Sequence, residues 1–147
     1  MNVTQKEYSI MTKQASPDSP SPKNCINAFL IGGLICSIGQ AFFELYTRLG
    51  ATDREASMGV TLSLIFLAVL FTAIGVFDDI ARRAGAGTLV PITGFANAVC
   101  SPALEFKTEG YVLGTAAKMF FIAGPVIVYG TVASVVYGVI YWITTLF

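Results

Sequence analysis

Gly85-Ala86-Gly87-Thr88-Leu89-Val90-Pro91-Ile92-Thr93-Gly94-Phe95-Ala96-Asn97 is the stretch on which the architecture turns. It opens an uncharged run, Ala84 to Leu104, that is long enough to cross a membrane yet carries Gly85, Gly87, Pro91 and Gly94 near its start. A proline lacks a backbone donor and clashes with the turn before it, and each interior glycine weakens a helix by about 1 kcal/mol. A straight span is therefore not expected. The first part should be extended and the second should wind into helix near Thr93 or Gly94, with Thr93 as the capping side chain. Irregular backbone at membrane depth is tolerated only where protein or a water-lined cavity satisfies its polar groups. Residues 85–105 accordingly read as a re-entrant loop plus half-helix, the alternatives being a segment lying on the membrane surface and a fourth crossing.

Three further uncharged runs flank this one: Asn24 to Phe43, Ala56 to Phe77 and Met119 to Phe147. Each is long enough for the roughly 20 apolar helical residues that a hydrocarbon core of about 30 Å requires. The 147-residue chain is 54% hydrophobic and 12% charged, about half the charged fraction of roughly 25% usual in soluble domains. The reading is an all-α integral membrane protein with three transmembrane helices near 24–46, 57–77 and 119–146 plus the re-entrant segment, or four transmembrane helices if that segment crosses. The runs lack the alternation of a membrane β-barrel.

Nine basic residues balance nine acidic ones with no dense basic stripe, which argues against a nucleic-acid partner. The absence of His excludes a histidine-based metal site, triad or pH switch. No paired aspartates inside two spans and no Ser/Lys pair at helical spacing support an intramembrane enzyme, so neither catalytic residues, a metal site nor a cofactor is expected. Cys25, Cys36 and Cys100 form no CxxC pattern and read as packing residues.

Residues 1–23, with the run Ser16-Pro17-Asp18-Ser19-Pro20-Ser21-Pro22, read as a disordered polar tail, and residues 24–147 as a single membrane domain. The first apolar run starts too late for a secretory signal and should be a retained helix. One of its faces reads Ala28, Gly32, Cys36, Gln40, Glu44, four residues apart. Small residues at this spacing let helices approach closely in lipid, so Ala28, Gly32 and Cys36 are helix-contact candidates, as are Gly130, Ser134 and Gly138 in the last run. Glu44 lies either at the interface or on a water-filled path, since a charge at the bilayer centre costs about 2.5–3.5 kcal/mol.

Between spans, Thr52 or Asp53 can cap the second helix. Asp78 and Asp79 stand four residues before Arg82 and Arg83, the acid-first order that favours helical ion pairs. From Tyr111 onward the chain is too long for one straight crossing, and Lys118 and Pro125 suggest a wet first section with a kink near Gly124. Tyr137, Tyr141 and Trp142 can anchor at headgroups. Seven basic residues in the tail and after the second span, against two between the first and second spans, place the N-terminus inside.

Asn24-Cys25 with Ala28-Phe29-Leu30-Ile31-Gly32-Gly33-Leu34-Ile35-Cys36-Ser37-Ile38-Gly39-Gln40, and Ala84 to Asn97, resemble the stage V sporulation protein A membrane family. Ala103-Leu104-Glu105-Phe106-Lys107-Thr108-Glu109-Gly110 and Val126-Ile127-Val128-Tyr129-Gly130 extend the resemblance toward the C-terminus. One departure is that the chain stops in apolar sequence at Phe147, where relatives tend to finish with a short polar tail.

The resemblance implies a subunit of the inner membrane of the forespore and spore, and the count of basic residues puts its N-terminus in the cytosol. It would help move dipicolinic acid (pyridine-2,6-dicarboxylate), with calcium, during sporulation and germination, with mechanosensitive channel behaviour. The implied partners are a membrane sister subunit of the AE type and a soluble, dipicolinate-binding subunit of the AD type. The residues are compatible with that role. Backbone N–H groups of Gly94, Phe95 and Ala96 at a half-helix start could meet a carboxylate, with Thr93 and Asn97 as side-chain partners. Gln40 and Glu44 are the other pore candidates, although Glu44 opposes an anion unless calcium accompanies it or Glu44 faces a neighbouring subunit. So few helices enclose little volume, so a channel should form only on oligomerisation; a non-conducting scaffold that docks the soluble partner is the alternative.

Overall fold

The structure is a computed structural model that describes residues 4–16 and 20–146. Among them there is no strand, and the elements follow in the order α1 (Gln5–Ala15), α2 (Ser21–Arg48), α3 (Asp53–Ala73), α4 (Val76–Ala84), α5 (Ala86–Leu89), α6 (Ile92–Glu105) and α7 (Ala117–Leu146). A 3-10 turn at Phe106–Glu109 and a π-helical turn at Tyr111–Ala116 join α6 to α7. Helices α2, α3 and the stretch from Tyr111 to the end of α7 are long and apolar enough to cross a membrane.

The polar tail, expected to be disordered, carries α1. Its start is a capping box, with Thr4 Oγ1 accepting from the Glu7 N–H and Glu7 Oε2 accepting from the Thr4 N–H at 2.9 Å. That closure is local and needs no packing, and the described side chains of α1 are all exposed. Met1-Asn2-Val3 and Pro17-Asp18-Ser19 of that expectation, and Phe147, lie outside the described residues. Helix α2 begins before Asn24 because Pro22 falls in its first turn, where a missing N–H costs nothing.

Helices α2 and α3 form an antiparallel hairpin. Thr52 caps α3 and Glu55 reaches back to the Thr52 N–H at 2.9 Å. Further along, Gly39 lies against Leu64 and Val60, the Tyr46 ring rests on Gly59, and Tyr46 Oη and Ser63 Oγ are 2.6 Å apart. Gly75, left-handed at φ 76°, ends α3 and turns the chain into the short, charged α4. There the ion pair found is Arg82–Asp79 at 4.0 Å, three residues apart and exposed, rather than the expected pairs four apart.

The third uncharged run forms a helical hairpin. Contrary to expectation its first limb is not extended: Ala86–Leu89 makes one helical turn, and the break falls at Val90-Pro91. Pro91 cannot donate to a continuing helix, yet nothing bars helix before it from closing one turn of its own. Helix α6 then runs parallel to α3, with Ala96 packed in one cluster with Ala68 and Phe77, and Asn97 beside Thr72. The hairpin therefore enters beside the start of α2 and returns to the same end of the bundle, which is the re-entrant geometry expected. In α7 the helix passes through Pro125 unbroken, and the irregularity lies at Tyr111–Ala116 instead.

Among the described residues the buried apolar side chains are Ala56, Ala68, Ala84, Ala96, Ala123 and Phe77. Alanines bury little area, so this core cannot hold the chain together in water at about 25 cal/mol per Å². Large residues such as Phe29 at 78% and Tyr129 at 76% exposure point outward instead, the pattern of a bundle solvated by lipid.

Candidate functional site

The hairpin α5–α6 is held by backbone approach. A Cβ on Gly87 would collide with the backbone of Ala28, and a Cβ on Gly32 would stand 3.3 Å from the Gly87 carbonyl oxygen. Ala28 and Gly32 thus are a helix contact, made inside the chain against α5. A Cβ on Gly94 would strike the carbonyl oxygens of Thr88 and Leu89, so the two limbs of the hairpin touch through this position.

The anion site expected at the start of α6 takes a different form. The helix starts at Ile92, and the Gly94 N–H already donates to the Pro91 carbonyl at 2.9 Å. The first turn's free donors therefore fall earlier than Gly94, Phe95 and Ala96. Thr93 does not cap; it lies inside the helix, 6% exposed, and its Oγ1 is buried with no partner among the described residues. Gly94 and Ala96 are buried and Phe95 is half-buried. Asn97 is tied to α3: Thr72 Oγ1 stands 2.9 Å from Asn97 Oδ1 and 2.7 Å from the Ala68 carbonyl, so one hydroxyl proton is shared between two acceptors.

Two cavities lie on either side of the hairpin. One, of about 430 Å³ between α4, α5, α6 and α7, is lined by Asn97, Ser101 and Glu105 together with Thr88, Phe77 and Ile122. Asn97, Ser101 and Glu105 stand four residues apart and make one polar column on α6. That spacing is visible in the sequence, where Ser101 and Glu105 went unnoticed as a continuation of Asn97. The other cavity, of about 250 Å³, is wholly apolar and lies between α2, α3 and α4 with Thr88 and Thr93 in its wall. Nearby, Lys118 Nζ sits 4.6 Å from the centroid of the Phe106 ring, a cation–π contact that fixes the start of α7.

The remaining candidates stay apart from the hairpin. Gln40 is exposed, and exposed Glu44 pairs with Arg48 at 3.9 Å, one turn on. Cys36 and Cys25 are exposed and only Cys100 is half-buried, so the packing reading fits Cys100 alone within the chain. Gly130, Ser134 and Gly138 are exposed with no neighbour near either glycine, and Ser134 Oγ donates to the Gly130 carbonyl at 2.8 Å in its own helix. No group of three His, Cys, Asp or Glu side chains comes together among the described residues.

Comparison with known proteins places these features. No solved structure matches the chain. It is 43% identical over 141 residues to stage V sporulation protein AC of Bacillus subtilis (strain 168), covering 95% of this chain and 94% of that protein. The family described as SpoVAC/SpoVAEB sporulation membrane protein matches residues 24–140, which include all of the α2–α6 bundle from Asn24 onward and most of α7. Both the hairpin and the helices that hold it fall within that match, and the chain belongs to the SpoVAC/SpoVAEB family of sporulation membrane proteins.

Proposed function

We propose that this chain is a channel or transport subunit for dipicolinic acid, moving with calcium across the inner membrane of the forespore and spore during sporulation and germination. The observation that carries the reading is the hairpin that dips into the bundle and returns, presenting Asn97, Ser101 and Glu105 to a cavity of about 430 Å³. Irregular backbone inside a membrane bundle is retained where it lines a cavity. Glu105 and the polar column suit the calcium that accompanies the dianion, better than they suit the dianion alone. Its N-terminus lies on the cytosolic side by the distribution of basic residues.

Every residue from Pro125 to Leu146 is exposed. A pathway continuing past the cavity would take its other wall from neighbouring subunits, so the conducting form is an oligomer, with an AE-type membrane sister beside it and the soluble AD-type subunit docked on one face. Membrane tension would gate it by moving α7 relative to the hairpin.

A non-conducting scaffold is the second reading, favoured by the burial of Thr93, Gly94 and Ala96 and by the engagement of Asn97 with Thr72. Solute flux separates the two. The purified protein in liposomes, alone and with its membrane sister, should release dipicolinate under tension; tight binding of the soluble subunit with no release would establish the scaffold.

A further inference from the structure

A further cavity, of about 380 Å³, opens where α2 begins, lined by Ser21, Asn24, Cys25 and Ala28 of α2 and by Arg82 and Arg83 of α4. Arg82 pairs weakly with Asp79 at 4.0 Å, and both side chains are about 80% exposed. Arg83 has no ion-pair or hydrogen-bond partner among the described residues. Helix α2 starts at Ser21, with no side-chain cap from Pro20 and no acidic residue in its first turn, so its positive end points to the same spot. Charge of one sign therefore converges from two elements on an open pocket at the end of the bundle.

The apolar cavity of about 250 Å³ adjoins it. On α2 its wall begins at Ile31, one turn after Ala28, and continues to Ile38; on α4 its wall residue Ile80 stands one turn before Arg83. Leu34, 60% exposed, and Ile38, 40% exposed, form its rim, so it opens sideways to the outside of the bundle between α2 and α3. From Cys25 to Ile35 the helix rises about 15 Å, half of a hydrocarbon core of about 30 Å. A basic pocket at headgroup level and an apolar crevice beneath it, on adjacent turns of the same two helices, match a phosphate with an acyl chain attached.

We propose that the α2–α4 seam binds one anionic phospholipid, its phosphate between Arg82, Arg83 and the start of α2 and one acyl chain in the crevice along Ile31 to Ile38. A free dicarboxylate would use the pocket and leave the crevice unfilled; the succession of a basic pocket and an apolar crevice on neighbouring turns of α2 and α4 is what selects the lipid. The site meets the cavity of the proposed pathway only at the shared walls Gly85, Phe77 and Thr88, and its occupancy is measured without any flux.

The test uses the full chain in phosphatidylcholine nanodiscs, with Trp142→Phe and Leu34→Trp making a single reporter at the crevice rim. Phosphatidylglycerol carrying a brominated acyl chain should quench it saturably at low mole fraction, and brominated phosphatidylcholine should not. Arg82→Gln with Arg83→Gln should raise the half-saturating fraction about thirtyfold, since each basic residue near the surface contributes about 1 kcal/mol toward an anionic lipid. Arg82→Lys with Arg83→Lys should restore most of the affinity at equal helix content by circular dichroism. Equal quenching by the two lipids, an unchanged midpoint in the Gln pair, or no recovery in the Lys pair would overturn the proposal. Release of the bound lipid by millimolar pyridine-2,6-dicarboxylate or glycerol phosphate would also overturn it, reassigning the pocket to a soluble oxyanion.

Discussion

The hairpin α5–α6 and the distal part of α7 are written with the same vocabulary, and they end in opposite environments. Each has small residues at close spacing and a proline: Gly85, Gly87, Pro91 and Gly94 in one, Pro125, Gly130, Ser134 and Gly138 in the other. In the hairpin those small residues are where backbones meet, and a Cβ on Gly87 or Gly94 would strike main-chain atoms of Ala28, Thr88 or Leu89. On α7 the same residue types look out on open space. Small-residue spacing thus marks a helix that can be approached closely, and says nothing of whether the approaching element lies in the same chain. The proline differs too. Pro91 splits a run in which Gly85, Gly87 and Gly94 weaken the helix on both sides, whereas the helix carries on through Pro125 although Gly124 precedes it and Gly130 follows.

The sharpest way to break the contrast is Gly94→Val. Its side chain would enter the space held by two backbone carbonyls, which cannot swing aside as a flexible side chain would. Overpacking of this kind costs roughly 1–3 kcal/mol and more where main chain must move. The expected outcome is loss of monodisperse protein in mild detergent, with new proteolytic cleavage around Leu89 and Val90. A variant that purifies and melts like wild type would mean that the limbs of the hairpin do not touch.

Gly32→Leu comes next. The neighbouring carbonyl of Gly87 stands 3.3 Å from the Cβ position, a contact that a small shift of α5 can relieve for Ala but not for Leu. Membrane insertion should be unchanged while Tm drops by several degrees, from a cost of about 1–3 kcal/mol. Loss of subunit assembly at unchanged Tm would move the contact from inside the chain to between chains.

The fold class was legible from run length and charge alone, and Pro91 with its glycines announced the break in the third run. Other features were hidden for a physical reason. The Asn97–Thr72 contact joins residues 25 apart, and nothing local in either helix signals it. Thr93 looked like a cap because a hydroxyl near a helix start usually is one; Pro91 takes that position instead, and Thr93 turns inward. The single turn at Ala86–Leu89 exists because α2 supports it at Ala28 and Gly32, support that a reading of residues 85–91 in isolation cannot contain.

A smaller effect belongs to Asn97. Leu there removes an acceptor from Thr72, and interhelical hydrogen bonds in membranes average about 0.6 kcal/mol in double-mutant cycles, so Thr72→Val and Asn97→Leu should couple by about that much. Asp keeps the acceptor and adds a charge in a poorly screened cavity wall. If the cavity carries the solute, dipicolinate flux at matched membrane abundance should fall further with Asn97→Asp than with Asn97→Leu. Equal losses would assign Asn97 to packing, and unchanged flux with Asp would turn attention to Gln40 and Glu44.

The smallest expected effect is the most informative about α7. Gly130→Leu with Gly138→Leu places two large side chains where nothing lies within 4 Å of either Cβ, so no contact inside the chain is lost or crowded. Replacing glycine by a better helix former favours the helix by up to about 1 kcal/mol per site. Thermal stability of the isolated chain should therefore hold or rise slightly, in contrast to Gly32→Leu. Association is where the ridge would act: small residues on a lipid-facing helix permit close crossings, and two leucines force the axes apart. Energy transfer between labelled subunits in liposomes should fall while Tm stays, which would make α7 the seam between subunits and the hairpin the seam within one. A fall in Tm matching that of Gly32→Leu would show that α7 folds onto its own bundle, and the contrast between the two regions would then vanish.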